Sequence, residues 1–327
     1  MGVLQLKMNA FVMKISFAIA VVAIVALPCA AAIAQDHLPE PPISWAYPPE
    51  MPGSSVEVYN EVDGIALNAW IFKPQDHAAQ DRRPAVVFFF GGGWAGGTPG
   101  QFLPQSLHLA ERGVVAISVD YRVKSRHDVP PQECVRDAKA AIRWVRANAS
   151  RLGVDPQRIA AGGGSAGGHL AAATALVPNF EDGDNAAVSS MPNALLLFNP
   201  AVVLAPVEGQ PNLLPTDMAT KIGNVTLGRP QEISPINFVR PDLPPCIIFH
   251  GTDDQEVPFA TVQAFEKAMT EAGNRCELKA YEKQPHGFFN PGRGQGEPRA
   301  EATRHYYQTL RELDAFLVSL GYLKAAT

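Results

Sequence analysis

The sequence is poor in cysteine, and the few cysteines that it has are widely spaced. Four occur among 327 residues, without a CxxC pair and without the cysteine and histidine spacing of a zinc site. The HExxH motif, which provides two histidine ligands in many metallopeptidases, is absent as well. The sequence therefore predicts neither a metal centre nor a fold held together by disulfides.

Charge is also scarce, and positive charge is not in excess. Charged residues make up 18% of the chain, and the formal net charge is −5. Proteins that bind nucleic acid or anionic membranes carry clustered lysine and arginine, so neither kind of partner is expected. The hydrophobic fraction, 46%, is ordinary for a globular protein with a large core.

The first residues differ in composition from the rest. Lys7 and Lys14 are followed by an uncharged apolar run over residues 15–27, and Ala32-Ile33-Ala34 has the pattern of a cleavage site. This order predicts a secretory signal peptide over residues 1–34, so that the protein is periplasmic or secreted. A membrane anchor is the alternative, but the run is short for a span. After removal of the signal peptide, no stable membrane insertion is expected.

An exported chain meets an oxidising compartment, in which cysteines can pair. Three cysteines follow the predicted signal peptide: Cys134, Cys246 and Cys276. An odd number cannot all pair within one molecule. Cys246 and Cys276 each lie in a predicted strand, where a buried apolar thiol is favoured over a bridge.

Residues 35–327 alternate between predicted strands and predicted helices. A hairpin over residues 55–72 turns at Asp63-Gly64, and the strongest helical periodicity covers residues 131–149. Further strands are predicted at residues 84–90, 114–120, 194–198, 246–249 and 276–281, and further helices at residues 104–112, 258–272 and 301–320. The pattern predicts one α/β domain with a mostly parallel central sheet, helices on both faces and an N-terminal β-hairpin.

Residues 200–244 break this alternation. They are rich in proline and show little periodicity. We expect an irregular excursion from the sheet, which could serve as a partial lid.

A glycine-rich turn holds the strongest candidate for a catalytic residue. Gly163-Gly164-Ser165-Ala166-Gly167 fits the pattern G-x-S-x-G, between a short apolar run and a good helix former. Glycines two residues before and after the serine permit a turn that is too tight for side chains. The same turn also fits the phosphate-binding pattern G-x-G-x-x-G, as does the stretch from Gly91 to Gly96, so that pattern alone decides nothing.

A serine nucleophile needs a base, and the base needs a residue that orients it. Beyond the helix that follows Ser165, the histidines are His250, His286 and His305. His250 ends a strand, where a structural role is expected, and His305 lies in the last helix, where a surface position is expected. His286, in a loop after the last strand, is the predicted general base. The loop after the preceding strand offers three acidic candidates, which spacing alone does not separate: Asp253, Asp254 and Glu256.

Acyl transfer also needs hydrogen-bond donors for the oxyanion. The backbone N–H of Ala166, directly after the serine, is one candidate. The glycine run at residues 91–93 supplies others, because glycines let the backbone approach a carbonyl oxygen closely. Trp94, next to that run, is either a wall of the acyl pocket or part of the core.

Taken together, these motifs resemble those of the α/β-hydrolase esterases. The branch that they resemble is that of the hormone-sensitive-lipase-like esterases and the acetyl-ester or feruloyl-type carbohydrate esterases. The resemblance covers roughly residues 55–320 and rests on four motifs in fixed order: Gly91-Gly92-Gly93-Trp94, Gly163 to Leu170, His250 to Asp254 with Val257-Pro258, and His286-Gly287-Phe288. Val119-Asp120-Tyr121-Arg122 matches the same branch as well.

The resemblance implies an α/β-hydrolase fold with a reduced cap, and it implies a catalytic triad. Ser165 would be the nucleophile, His286 the base and Asp254 the orienting acid. Asp254 is favoured over its neighbour because the family's acid stands four residues after the strand-end histidine, here His250.

The resemblance also implies an oxyanion hole. Gly92, Gly93 and Ala166 take the positions of its donors. One position departs from the family pattern, since Phe90 stands where a histidine usually precedes the glycines and helps to anchor their loop.

The sequence thus predicts an exported serine esterase that needs no cofactor and hydrolyses a small-molecule or carbohydrate ester with a small acyl group. A nicotinamide-dependent oxidoreductase is one alternative, because Gly91 to Gly96 and Asp120 imitate a dinucleotide-binding fingerprint. Thr98-Pro99-Gly100 argues against it, since these residues interrupt the helix that should follow. The motifs also fit a serine peptidase of the same fold and a binding protein without catalysis.

Overall fold

The computed structural model of the protein describes residues 43, 45–78, 80–181, 187–209, 212–293 and 299–325. The predicted signal peptide, residues 1–34, lies outside the described residues. Among the residues described, no helix has both the length and the apolar character needed to cross a membrane.

A single mixed sheet forms the centre of the fold. The described residues contribute eight strands to it: β1 (Ser54–Val62), β2 (Ile65–Phe72), β3 (Arg83–Phe89), β4 (Val115–Val119), β5 (Val154–Gly164), β6 (Ala194–Phe198), β7 (Cys246–Gly251) and β8 (Cys276–Tyr281). Their order across the sheet is β1-β2-β4-β3-β5-β6-β7-β8. The β1–β2 and β2–β4 pairs are antiparallel, and the other five pairs are parallel. The predicted hairpin and the mostly parallel sheet are confirmed.

Helices cover both faces of this sheet. Within the described part of the chain they are α1 (Leu103–Glu111), α2 (Lys124–His127), α3 (Pro131–Ala147), α4 (Ala149–Leu152), α5 (Ala166–Leu176), α6 (Thr216–Val225), α7 (Phe259–Glu271) and α8 (Arg299–Ser319). Successive strand residues point to opposite faces. In β3, Val87 and Phe89 belong to the core that contains α3, α5 and α7, whereas Val86 and Phe88 belong to the core that contains α1 and α8.

The three cysteines are buried, and their thiols are free. Cys246 and Cys276 are partners in the register of β7 and β8, and burial raises the pKa of the Cys246 thiol well above its ordinary value. Cys134 lies on the buried face of α3. Cys246 and Cys276 are therefore buried, unbridged thiols, as the sequence indicates, whereas Cys134 Sγ donates a hydrogen bond to Arg122 O at 3.1 Å.

The segment at residues 200–244 is more regular than its composition suggests. It contains α6 and two short 3₁₀ helices, Pro230–Ile233 and Pro235–Phe238, all absent from the sequence-based prediction. Proline precedes α6 and begins both 3₁₀ helices, because its fixed φ suits the first turn of a helix. These prolines thus mark helix starts. A lid role for the segment stays a prediction.

Arg122, just past β4, fixes the chain to helix α3. Its guanidinium binds the Asp137 carboxylate, with Nη2–Oδ1 at 2.8 Å and Nε–Oδ2 at 2.9 Å, and its backbone N–H donates to the same Oδ2 at 2.9 Å. Nη2 also lies 3.1 Å from Glu133, whose side chain is 31% exposed, whereas that of Asp137 is 1% exposed. The Asp137 carboxylate is therefore the buried partner that holds the two elements together.

We expect Asp137→Ala to lower the free energy of unfolding by about 3–5 kcal/mol, because it leaves the Arg122 guanidinium buried without its main counter-charge. The matched variant Glu133→Ala removes the exposed partner of the same guanidinium and should cost less than about 1 kcal/mol. Urea denaturation followed by circular dichroism measures both values. Equal losses in the two variants would contradict the role given to Asp137.

Candidate active site

Ser165 lies at the sharp turn between β5 and α5. Its φ of 55° and ψ of −120° are outside the regions that residues with side chains normally adopt. The turn is fixed by its backbone, since Ser165 N donates to Phe198 O at 2.8 Å and Ser165 O accepts from His169 N at 3.0 Å. Ser165 is partly exposed, although the residues on both sides of it are buried. A strained turn of this kind is typical of a nucleophile elbow.

Because residues 163 and 167 are glycines, the backbones of β3, β5 and α5 come into direct contact around Ser165. A Cβ on Gly163 would lie 2.4 Å from Gly167 O, and a Cβ on Gly167 would lie 2.0 Å from Phe89 O. Both distances are far shorter than atoms can approach. Side chains at these two positions are therefore excluded by β3, β5 and α5 themselves.

His286 and Asp254 are joined by a hydrogen bond, with Nδ1 and Oδ2 2.7 Å apart. Asp254 follows β7 and His286 follows β8, so both lie beyond the carboxyl ends of neighbouring parallel strands. Asp254 is buried, whereas Asp253 and Glu256 are exposed. Of the three acidic candidates, Asp254 is the one that the structure brings to His286.

The Asp254 carboxylate is surrounded by donors. Oδ1 accepts from the N–H groups of Glu256 and Val257, each at 2.9 Å, and Oδ2 accepts from Asn199 Nδ2 at 2.9 Å as well as from His286. Burial raises the pKa of Asp254, but the bonds to His286 and to the Val257 N–H outweigh burial and hold the pKa below its ordinary value. The ionised carboxylate keeps a proton on His286 Nδ1, which leaves Nε2 as the basic nitrogen.

The other two candidates for the base, His250 and His305, are both buried. His250 Nε2 lies 2.9 Å from Val257 O, and burial lowers the pKa of His250, so the ring supports the acid loop in the structural role expected of it. The surface position expected for His305 is wrong. Its ring is buried against Tyr281 and Phe288, because the face of α8 that carries it packs onto the sheet.

Residues 91–97, here named the glycine loop, run directly past the serine. A Cβ on Gly91 would lie 2.9 Å from Gly164 O and 3.3 Å from Ser165 Cβ. Gly92 and Gly93 follow with φ of 129° and 61°. Ala166 begins α5, where a backbone N–H has no carbonyl partner within the helix. The structure therefore places Gly91 beside Ser165, with Gly92 and Gly93 next in the chain, and the oxyanion-hole role of Gly92, Gly93 and Ala166 stays a prediction.

Phe90 anchors the glycine loop by packing. Its ring stacks on Tyr121 with the centroids 4.1 Å apart, and the Tyr121 hydroxyl donates to Phe90 O at 2.7 Å. A Cβ on Gly97 would lie 2.2 Å from Gly91 O and 2.6 Å from the Phe90 ring, so the far end of the loop closes on the same ring. Aromatic stacking thus holds the loop at the position where the family pattern leads one to expect a histidine.

Trp94 joins the hydrophobic core and is only 8% exposed. Its Nε1 donates to His169 Nδ1 at 3.2 Å, and His169 Nε2 then donates to Ile233 O at 2.7 Å. Burial lowers the pKa of His169 to about 4, which keeps the ring neutral at neutral pH. The indole therefore links the glycine loop to the segment at residues 200–244.

These groups together suit one kind of chemistry. A serine at a strained turn, a histidine paired with a buried carboxylate, and backbone N–H groups beside the serine can support nucleophilic acyl transfer. In the part of the chain that the structure describes, no group of three or more His, Cys, Asp or Glu side chains is arranged to hold a metal ion.

Family models and curated proteins match this chain. The BD-FAE family model matches residues 71–269, and the dienelactone hydrolase family model matches residues 232–317. The probable carboxylic ester hydrolase LipM of Mycobacterium tuberculosis is 32% identical over 215 residues, which are 62% of this chain and 48% of LipM. The probable isoprenylcysteine alpha-carbonyl methylesterase ICMEL1 of Oryza sativa subsp. japonica is 30% identical over 250 residues, 70% of this chain and 56% of that protein. The chain spans about half the length of these curated relatives.

Solved structures of esterase 2 from Thermogutta terrifontis are similar over more of the chain. In two of them, the form phosphonylated by sarin and the butyrate-bound form, the identity is 49% and the match covers 86% of this chain and 100% of that one. The TM-score is 0.81 for the form phosphonylated by sarin and 0.80 for the butyrate-bound form. The BD-FAE model matches more than half of the chain, and the fold is that of these esterases. The chain therefore belongs to the BD-FAE family and is a member of the α/β-hydrolase serine esterases.

Proposed function

We propose that the protein hydrolyses carboxylic esters through Ser165, His286 and Asp254. The observation that carries this proposal is the 2.7 Å hydrogen bond between His286 and the buried Asp254, at the edge of the sheet where Ser165 occupies its strained turn. A carboxylate held ionised beside a histidine serves to orient the imidazole and to stabilise its protonated form. Neither a phosphate-binding loop nor a structural turn would require that pair.

The reaction follows from this arrangement. Ser165 Oγ attacks the ester carbonyl carbon while His286 Nε2 takes its proton, and Asp254 stabilises the imidazolium. The N–H groups of Gly92, Gly93 and Ala166 bind the oxygen that becomes negative. The tetrahedral intermediate collapses, His286 returns the proton to the departing alcohol, and an acyl-enzyme remains. A water molecule then gives a proton to His286 and attacks the acyl carbon; the bond to Ser165 Oγ breaks, His286 returns the proton to that oxygen, and the acid leaves.

We expect Ser165→Ala and Asp254→Asn each to lower kcat for p-nitrophenyl butyrate by about 10⁴-fold or more. The first variant removes the nucleophile, and the second lets the imidazole adopt the wrong tautomer. Steady-state kinetics on protein whose fold is verified by circular dichroism measures both effects.

Two matched variants test whether these losses are specific. Asp253→Asn changes the exposed neighbour of Asp254, and Ser319→Ala changes a serine at the end of α8, so both should keep the wild-type rate. A fluorophosphonate probe should label the wild type and Ser319→Ala but not Ser165→Ala. Labelling of Ser165→Ala, or a loss in Asp253→Asn as large as in Asp254→Asn, would overturn the assignment.

We propose further that the substrate carries a small acyl group on a carbohydrate or a similar small alcohol. The bound butyrate and propionate in Thermogutta terrifontis esterase 2 support a short acyl chain. The family resemblance to acetyl-ester and feruloyl-type carbohydrate esterases supports the alcohol.

We expect kcat/KM to be highest for p-nitrophenyl acetate or butyrate and at least about 10-fold lower for the laurate, because a pocket of fixed length rejects added methylenes. Among acetylated sugars, feruloylated sugars and matched p-nitroanilides, the acetylated sugars should react fastest. A preference for the anilides would favour a serine peptidase, and a preference for laurate would contradict the short acyl pocket.

Export is also part of the proposal. The uncharged run at residues 15–27 and the cleavage pattern Ala32-Ile33-Ala34 support it. Expression of the full sequence in a Gram-negative host should yield periplasmic protein whose intact mass is that of a chain beginning at Gln35. Replacing Ala32 and Ala34 by leucine should prevent processing, since the peptidase accepts small residues there. Uncleaved wild-type protein in the cytoplasm would contradict export.

A further inference from the structure

Three buried amide side chains connect the parts of the site that the sequence places far apart. They are Asn199, Asn290 and Gln101, with exposures of 0%, 1% and 7%. Asn199 directly follows β6, Asn290 lies in the loop after β8 that also carries His286, and Gln101 lies in the 3₁₀ helix Pro99–Phe102 after the glycine loop. None of them carries a charge or belongs to the proposed triad.

Asn199 joins the acid to the chain next to the base. Its Nδ2 donates to Asp254 Oδ2 at 2.9 Å, and its Oδ1 accepts from Gly287 N at 3.2 Å. Gly287 is the residue after His286, so one rigid amide group bridges the acid Asp254 and the backbone next to the base. Asn199 itself is fixed, because its N–H donates to Phe249 O at 2.8 Å and its φ is 43°, a left-handed value that asparagine tolerates.

Asn290 and Gln101 continue the connection to the glycine loop. Asn290 Nδ2 donates to Gly287 O at 2.9 Å, and Asn290 Oδ1 accepts from Gln101 Nε2 at 3.3 Å. Gln101 Oε1 accepts from Gly91 N at 2.6 Å. Asn199 thus binds the Gly287 N–H and Asn290 binds Gly287 O. A continuous series of hydrogen bonds therefore runs from Asp254 through Gly287, the residue after His286, to Gly91.

The chemistry at both ends fixes the orientation of every amide. An ionised carboxylate can only accept, so Asn199 must present Nδ2 to Asp254 and Oδ1 to the Gly287 N–H. A backbone N–H can only donate, so Gln101 must present Oε1 to Gly91 and Nε2 to Asn290. Each position needs a side chain that donates and accepts at once. A carboxylate or an apolar side chain would break the connection and leave buried polar groups without partners.

We infer that Asn199, Asn290 and Gln101 are positioning residues, which hold the base and the glycine loop in a single arrangement relative to the acid. This role rests on the proposed esterase function, because it concerns the geometry of the same site. The three residues act through His286 and the glycine loop, so their loss should slow the chemical step and leave substrate binding nearly intact.

The experiment compares Asn199→Ala, Gln101→Met and the double variant in hydrolysis of p-nitrophenyl butyrate. Each single variant should lower kcat by roughly 10- to 100-fold with KM within about twofold, because a small displacement of reacting groups slows the reaction far more than it weakens binding. The double variant should lose less than the product of the two single losses, since both substitutions break the same connection.

A matched buried asparagine separates positioning from folding. Asn274 Oδ1 accepts from Leu243 N at 2.9 Å and Nδ2 donates to Arg240 O at 2.8 Å, at the other end of the sheet, just before β8. Asn274→Ala should lower the melting temperature about as much as Asn199→Ala but keep the wild-type kcat. The inference would be overturned if Asn199→Ala and Gln101→Met lost no more kcat than Asn274→Ala. It would also be overturned if the loss in the double variant equalled the product of the two single losses.

The wild type and the triad variants keep this test distinct from the test of the esterase function. If the wild type neither hydrolyses the ester nor reacts with a fluorophosphonate, the proposed function itself fails. If the wild type is active and Ser165→Ala is not, while the amide variants keep the wild-type kcat, only the positioning role fails.

Discussion

Where strand β5 turns into helix α5, three stretches of backbone touch with no side chain between them. Gly163 meets Gly167, and Gly167 meets the carbonyl of Phe89 at the end of β3, at distances that exclude a Cβ. This contact fixes the start of the helix against two central strands. Ser165 consequently has one position, and the glycine loop that leaves β3 has to pass beside it. The remaining groups of the site are arranged around that fixed point.

The parallel part of the sheet supplies the rest of the arrangement. In its order β3, β5, β6, β7 and β8, each strand is followed by one component of the site, namely Gly91, Ser165, Asn199, Asp254 and His286. Carboxyl ends of parallel strands meet at one edge, so residues nearly 200 positions apart become neighbours. The pKa of Asp254 stays below its ordinary value despite burial, because His286 and then the backbone N–H of Val257 donate hydrogen bonds to its carboxylate.

Local patterns in the sequence were enough for the strands, most helices and the turn at Ser165, because apolar periodicity and glycine spacing act over a few residues. Other features depend on distant partners. Asp253 and Asp254 differ in burial, which their spacing does not reveal, and His305 is turned inward by the way α8 packs. Asn199 looks like an ordinary residue after a strand. Gln101 follows a proline–glycine turn, and its amide partner Asn290 is 189 positions away.

The strained backbone at Ser165 is unfavourable in free energy, and contacts elsewhere in the fold offset it. A residue with a side chain at φ 55° and ψ −120° is disfavoured by about 1–3 kcal/mol, whereas glycine adopts such angles readily. The contacts that enforce these angles come from Gly163 and Gly167, so the hydroxyl of Ser165 contributes nothing to them. A chain with glycine at this position would be the more stable one, and it would have no nucleophile. Stability and activity therefore oppose each other at this single residue.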